Sequence, residues 1–330
     1  SLYDVCMPTN DAISRGRPIR IGLLLIDGFA LMSYASFIEP FRAANSLGGA
    51  HLYSWSHIAL KGQEAFASNG ARLVADAQVG DAVDCDMLFV FAAGDPSAFR
   101  DESCFAWLRL LSRRGIRLGG VSGGPYLLAR AGLLGHRRMT IHWEHAASLH
   151  AEFPALMLEG GLYVIDGDRM TCAGGTAGLD LAVSLIEQDQ GVALARRVEE
   201  WFIRAEPRSA DLSQRSGLAD RYGTTNGRLL PMLAAMESAL EEPFSREALA
   251  ARAGVSLRQL ERLCSVHLGK TIAETYLIIR LNRAAELLRS TGLPVTEVAL
   301  ACGFRSATHF ARRFAARSGM SASQFRVERK

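Results

Sequence analysis

Apolar residues recur along this chain with two different periods, and the change between them divides it. Up to about residue 204, compact apolar runs alternate with helical patterns. IRIGLLLI (19–26), WSHIALK (55–61), MLFVFAAG (87–94) and IRLGGVS (116–122) read as strands, the first of them wholly buried. Helices are predicted over 30–45, with Met32, Phe37 and Phe41 available for packing, over 124–134 and over 174–191. Tyr163 to Cys172 reads as strand, turn and strand about Asp166 and Gly167. Strands alternating with helices of this length predict a parallel sheet covered on both faces. Next comes a polar, Gly-rich stretch, 205–227, and beyond it the pattern is helical only. The expected organisation is a mobile segment 1–18, an α/β domain 19–204, a linker 205–227 and an all-α domain 228–330.

The helical part repeats itself. REALAARAGVSLRQLERLCSVHLG (246–269) and VTEVALACGFRSATHFARRFAARSG (295–319) superpose. Leu249, Ala250, Ala253 and Gly254 fall on Val298, Ala299, Cys302 and Gly303; Ser256, Leu260, Cys264 and Gly269 fall on Ser306, Phe310, Phe314 and Gly319. The second copy carries one extra residue between its helices. Two helices at a steep angle need a short turn with a residue at positive φ, which Gly254 and Gly303 supply. Each copy thus predicts a helix-turn-helix unit with its second helix free for a DNA major groove. Between them, Ile272 to Arg289 reads as one helix stopped by Gly292 and Pro294. Such a connector suits two recognition helices set about 34 Å apart, one turn of B-DNA.

Leu260, Leu263, Phe310 and Phe314 are expected to face inward. Outward stand Leu257, Arg258, Gln259 and Arg262 in the first recognition helix, and Arg305, Ser306, Ala307, Thr308, His309, Arg312 and Arg313 at the second. Arg reads guanine O6 and N7, Gln reads adenine, and Ser or Thr bonds to either, while some of these side chains serve phosphates. Charge agrees: residues 241–330 hold 15 Lys and Arg against 8 Asp and Glu (+7), whereas 1–240 hold 22 against 26 (−4). A basic module attached to a mildly acidic body is the footprint of phosphate-backbone binding.

Composition removes other classes. At 330 residues and 49% hydrophobic content the chain suits two conventional cores. No apolar run reaches the 18 or so residues of a membrane span, and SLYDVCMPTND lacks a signal layout, so a cytoplasmic protein is expected. Six cysteines, at 6, 85, 104, 172, 264 and 302, show no metal-ligand spacing and read as reduced, mostly buried thiols. His142 and His145 form a pair without a third ligand. No metal and no cofactor is expected.

The chemically suggestive point of the α/β domain is Gly-Val-Ser-Gly-Gly, 120–124, where a strand turns sharply into a helix. Such an elbow lifts Ser122 above the sheet beside backbone N–H groups, including that of Gly123, at a helix N-terminus. His142 and Glu144 follow, so a nucleophile and a base are formally present. A Gly-rich connection without chemistry is the plainer reading of the same residues.

The C-terminal motifs, a Gly-Phe after the turn, Ser-x-x-His-Phe, Arg-x-Phe, Gly319 and a terminal Phe-Arg, resemble the AraC/XylS family of transcription regulators over Pro231 to Arg326, with Ala322 and Phe325 where that family commonly has Pro and Tyr. Residues 19–190 are similar to the class I glutamine amidotransferase-like, or PfpI-like, superfamily, whose flavodoxin-like sandwich usually carries Cys at the elbow. By that resemblance Ser122 occupies the Cys position, His142 the His position, and Glu39 is the counterpart of a Glu that approaches the elbow. The combination resembles the GlxA-type subgroup of AraC regulators. It implies double-stranded promoter DNA, RNA polymerase and a metabolite effector as partners, a homodimer, and activation of catabolic genes for compounds such as glycine betaine, carnitine or arginine. The elbow is then a catalytically silent ligand pocket, formed by Glu39, Ser122, Gly123, His142, Trp143, Phe29 and Tyr34, with Phe37 beside them. The aromatics would surround a quaternary ammonium by cation–π attraction. The competing expectation is a Ser-dependent hydrolase or amidase using Ser122 and His142.

Overall fold

The computed structural model describes residues 17–204, 206–215 and 217–328. Residues 1–16, most of the segment expected to be mobile, lie outside them. Arg17 is held: its guanidinium donates to both Asp86 carboxylate oxygens, at 3.0 and 2.8 Å. The chain forms two compact units that divide between Gln214 and Arg215.

In the first unit β1 (Ile19–Leu25) leads into α1 (Leu31–Gly48) and β2 (Tyr53–Ala59). A small antiparallel ribbon, β3 (Glu64–Phe66) and β4 (Arg72–Val74), and the short β5 (Ala77–Gln78) precede β6 (Met87–Ala92). Then come α2 (Glu102–Arg113), β7 (Arg117–Ser122) and α3 (Gly124–Arg130). β8 (Arg138–Met139), α4 (Trp143–Glu152) and β9 (Met157–Leu158) are followed by the hairpin β10 (Tyr163–Asp166) and β11 (Arg169–Cys172). Helices α5 (Ala177–Gln190) and α6 (Val192–Trp201) complete the domain. Seven strands form one sheet in the order β10-β11-β7-β6-β1-β2-β5, parallel except for the β10-β11 edge pair.

The alternation of side chains explains both layers. Leu23, Leu25, Phe89 and Phe91 point to the face covered by α1 and α5, where Phe37, Phe41 and Leu181 pack. Leu24, Leu88 and Val90 point to the other face, closed by Phe105, Leu108, Leu127, Leu128 and Leu149. This is a flavodoxin-like sandwich with a mostly parallel sheet, as the alternation of strands and helices predicts. α2, α4 and α6 are additions to the sequence reading.

Residues 206–214 belong to this unit despite their polar composition. Arg208 pairs with Asp180, whose side chain is buried, and donates to Thr176 Oγ1 at 2.9 Å. Leu162 N–H donates to Ala210 O at 2.7 Å, and Gln214 is bonded into the domain as described below. Only the remainder of the stretch read as a linker leads into the second unit, where Leu218 and Tyr222 of α7 (Leu218–Tyr222) pack on the core.

The second unit is all helical: α8 (Leu229–Ser238), α9 (Arg246–Ala253), α10 (Leu257–Leu268), α11 (Ile272–Ser290), α12 (Val295–Ala301), α13 (Ala307–Ser318) and α14 (Ala322–Glu328). The two turns carry the glycines at positive φ, 65° at Gly254 and 74° at Gly303. Ser256 and Ser306 cap the recognition helices, their hydroxyls accepting the N–H of Gln259 and His309. α8, α9 and α10 share one core and α12, α13 and α14 another. α11 serves both, giving Ile272, Tyr276 and Ile279 to the first and Leu281, Ala284, Leu287 and Leu288 to the second.

Candidate functional site

Two places gather the residues singled out above. In the first unit it is the point where β7 turns into α3. Ser122 ends β7 at a φ of 60°, a left-handed conformation costing a non-glycine residue roughly 1–2 kcal/mol. Its surroundings hold it there: Gly123 N–H donates to Ala92 O at 2.7 Å and His142 N–H to Ser122 O at 3.2 Å. The side chain is buried beneath Gly174 and Ser33. A Cβ at residue 174 would stand 2.6 Å from Ser122 Cβ and 2.9 Å from Ser33 Oγ, so only glycine lets these segments close. Ser33 Oγ accepts the Gly175 N–H at 2.7 Å.

This geometry corrects several expectations. The residue that α1 turns toward the elbow is Ser33, not Glu39. Glu39 lies further along the helix, half exposed, with its carboxylate on Arg42 Nε at 2.6 Å. It borders a separate cavity of about 490 Å³ with Ala35, Ser36, Thr176 and Leu179. Phe29 and Phe37 are fully buried in the core, Phe37 against Phe89 and Phe91 and Phe29 edge-on to Tyr34, so neither can wrap a ligand. Gly123 cannot offer its N–H to an anion, because Ala92 O takes it. Residue 125 is proline and has none. Tyr34 is half buried and its hydroxyl is hydrogen-bonded to His57 Nε2 at 2.7 Å.

What does meet at the elbow is the segment 140–145. The His142 and Trp143 rings lie 5.3 Å apart between centroids, and both are half buried. Glu144 brings a carboxylate to 4.0 Å from His142 Nδ1. His142 caps α4, its Nδ1 accepting the Glu144 N–H at 3.4 Å. A nitrogen that accepts carries no proton, so the neutral ring keeps its proton on Nε2. In that tautomer the remaining nitrogen is a donor and is not set to take a proton from the Ser122 hydroxyl. Burial lowers the pKa of His142, and burial together with His142 lowers that of His145 to about 3, so both rings are neutral near pH 7. Among the described residues no third metal-ligating side chain joins these histidines.

Gln214 also belongs to this cluster. Its Oε1 accepts the Trp143 N–H at 2.8 Å, and its Nε2 faces Thr140 Oγ1, Ile141 O and Gly161 O at 3.0, 2.9 and 2.8 Å. Neither Gln214 nor Ser33 stood out in the sequence. Ser33 left only a weak trace, as one of two serines in the mostly apolar stretch Phe29 to Phe37; Gln214 left none.

In the second unit the two recognition helices expose equivalent stripes. α10 buries Leu260 and Cys264 and exposes Arg258, Gln259 and Arg262; α13 buries Phe310 and Phe314 and exposes Thr308, His309 and Arg312, with Arg305 and Ser306 exposed just ahead of it. Leu263 is partly buried, as an inward-leaning position requires. Gln259 is committed elsewhere: its Oε1 accepts from Ser256 N and Oγ, both at 3.0 Å, which leaves only its NH₂ for a partner. Arg313 leans sideways, lining a groove of about 450 Å³ with Glu274, Leu277 and Leu281 of α11. The face of α13 is therefore carried by Thr308, His309 and Arg312.

Comparison with known proteins places these features in context. Residues 19–188 match the DJ-1/PfpI family and residues 249–328 a helix-turn-helix domain family. The HTH-type transcriptional regulator GlxA of Rhizobium meliloti (strain 1021) is 43% identical over 89% of this chain and 91% of its own length. The HTH-type transcriptional regulator CdhR of Pseudomonas aeruginosa is 42% identical over 92% of this chain and 90% of its own. A crystal structure of an AraC family transcriptional regulator from Pseudomonas putida aligns with a TM-score of 0.51 and 26% identity, covering 56% of this chain and the whole of that one.

Proposed function

The chain belongs to the GlxA-like HTH-type transcriptional regulators, with an AraC-type DNA-binding domain behind a DJ-1/PfpI domain, and from this premise we propose that its elbow is a metabolite sensor rather than an enzyme. The carrying observation is the position of His142, whose Nδ1 caps α4 by accepting the Glu144 N–H at 3.4 Å. Serine needs an aligned base to act as a nucleophile, and this imidazole is turned into a cap.

The ligand class follows from what lines the segment. The segment carries an aromatic ring at Trp143, a carboxylate at Glu144 and a neutral imidazole at His142, a set whose chemistry suits a cationic or zwitterionic metabolite. Glycine betaine, carnitine and arginine are the candidates of that chemistry. Titration calorimetry with the three is expected to give heat for at least one, weakened at least tenfold in Glu144→Gln; no heat for any of them overturns the ligand class. Ser122→Ala should keep inducible transcription, whereas loss of a measurable amide or ester turnover in that variant would establish the hydrolase instead.

On DNA, the exposed stripes Arg258/Arg262 and Thr308/Arg312 enter successive major grooves of a promoter, with Ser306, Arg305, His309 and Arg313 completing the contact to bases and phosphates. The regulator acts as a homodimer that recruits RNA polymerase to catabolic genes. Footprinting at moderate ionic strength should show two protected patches about one helical turn apart per chain; uniform protection of every fragment would reject sequence-specific reading.

A further inference from the structure

We infer that Gln214 is the positioning residue that ties the elbow site to the chain segment entering the DNA-binding unit; the inference rests on the sensing role proposed above. Gln214 is the last residue of the first unit, one bond before Arg215 opens the second. Its side chain is engaged at both ends. Oε1 accepts the N–H of Trp143, and Nε2 lies within 3.0 Å of Thr140 Oγ1, Ile141 O and Gly161 O. Trp143 and His142 are adjacent in the chain, and His142 N–H donates to the carbonyl of the strained Ser122. The line from elbow to exit thus runs Ser122 O, His142, Trp143 N–H, Gln214, with a hydrogen bond or a covalent bond at each step.

The rest of the exit segment is held by other contacts of the first unit. Arg208 is anchored on Asp180 and Thr176, and Ala210 O receives Leu162 N–H. Gln214 is a direct hydrogen-bonded route by which movement of the 140–143 segment reaches residues 213–215. A ligand that shifts the Trp143 backbone by even part of an ångström must lengthen the Gln214 bond or pull Gln214 with it. Because a ligand changes an equilibrium only through unequal affinity for two arrangements, docked and released Gln214 are the two arrangements the site can distinguish.

The test uses the full chain and two independent readouts. In Gln214→Ala, hydrogen exchange at the Trp143 amide should quicken about five- to tenfold, the effect of losing one hydrogen bond, while Leu162, whose N–H is held by Ala210, exchanges as before. The second readout is the half-saturation concentration for an operator fragment located by footprinting, with and without millimolar glycine betaine, L-carnitine or L-arginine. Wild-type protein should shift at least fivefold with one of them; Gln214→Ala should bind DNA within threefold of wild type unliganded and shift less than twofold. Asp211→Ala, an exposed change nearby in the same segment, should keep the wild-type shift. An equal shift in wild type and Gln214→Ala overturns the inference. If none of the three compounds moves the wild-type protein, the sensing of these metabolites fails, and the exchange measurement still decides: an unchanged Trp143 rate rejects the link. Should Gln214→Ala not fold, Gln214→Glu keeps an acceptor for Trp143 but sets a carboxylate against the carbonyl oxygens of Ile141 and Gly161, and the same two readouts apply.

Discussion

Burial of a titratable ring ties the stability of the first unit to pH. His145 is almost fully buried and its pKa is lowered to about 3 by burial and by His142. A group depressed in the folded state binds more protons when unfolded, so its contribution is complete above the unfolded value of about 6.5 and is lost as pH falls toward the folded one. Thermal denaturation should show the first unit losing about 1.4 kcal/mol per pH unit below about 6.5, and His145→Leu should flatten that slope; an unchanged slope would reject the assignment. Arg258 makes a second prediction at this scale. Arg258→Ala is expected to cost about 1–3 kcal/mol and to relax discrimination at one base pair, read as affinity across a set of single-base operator variants. A uniform loss over all variants would assign Arg258 to the phosphate backbone.

The turns between paired helices answer to different constraints although they look alike in sequence. A Cβ on Gly303 would meet Leu240 O at 2.3 Å, backbone that cannot retreat, whereas on Gly254 it would meet only Arg228 Nη1 at 2.9 Å, the tip of a flexible side chain. Gly254→Ala should therefore cost about 1–2 kcal/mol for the positive φ alone, and Gly303→Ala clearly more, by chemical denaturation; equal costs would mean the second turn can yield. Elements of this kind were the legible part of the chain. The buried run of β1, the β10-β11 hairpin and the repeat that sets α10 against α13 follow from local period and from glycine at the turns. The site was less so. Glu39, Phe29 and Phe37 sit near the right strand in sequence, but helical phase decides which side chain faces the elbow, and it selects Ser33 and buries the phenylalanines. Gln214 reaches Trp143 across 71 residues, and no local pattern encodes such a contact.

For the whole molecule, charge separates two tasks. The net +7 of residues 241–330 against −4 of the preceding 240 confines the attraction for phosphates to one end. DNA affinity should fall steeply with salt, and Arg262→Ala or Arg312→Ala should each lower the log–log slope by about one if its guanidinium sits on a phosphate. Ser122→Ala should leave that slope untouched, and a changed slope there would place the elbow in the electrostatics of binding.

The helix shared by the two C-terminal cores has a consequence for how operators evolve. α11 spans 19 residues with each half embedded in a different core. One residue inserted at its centre would turn the second reading unit by about 100° and advance it by about 1.5 Å, which no adjustment of a flexible hinge could absorb. Under the proposed reading of one promoter by both units, single-residue changes in this spacer are closed to gradual change, and half-site spacing is set by the protein.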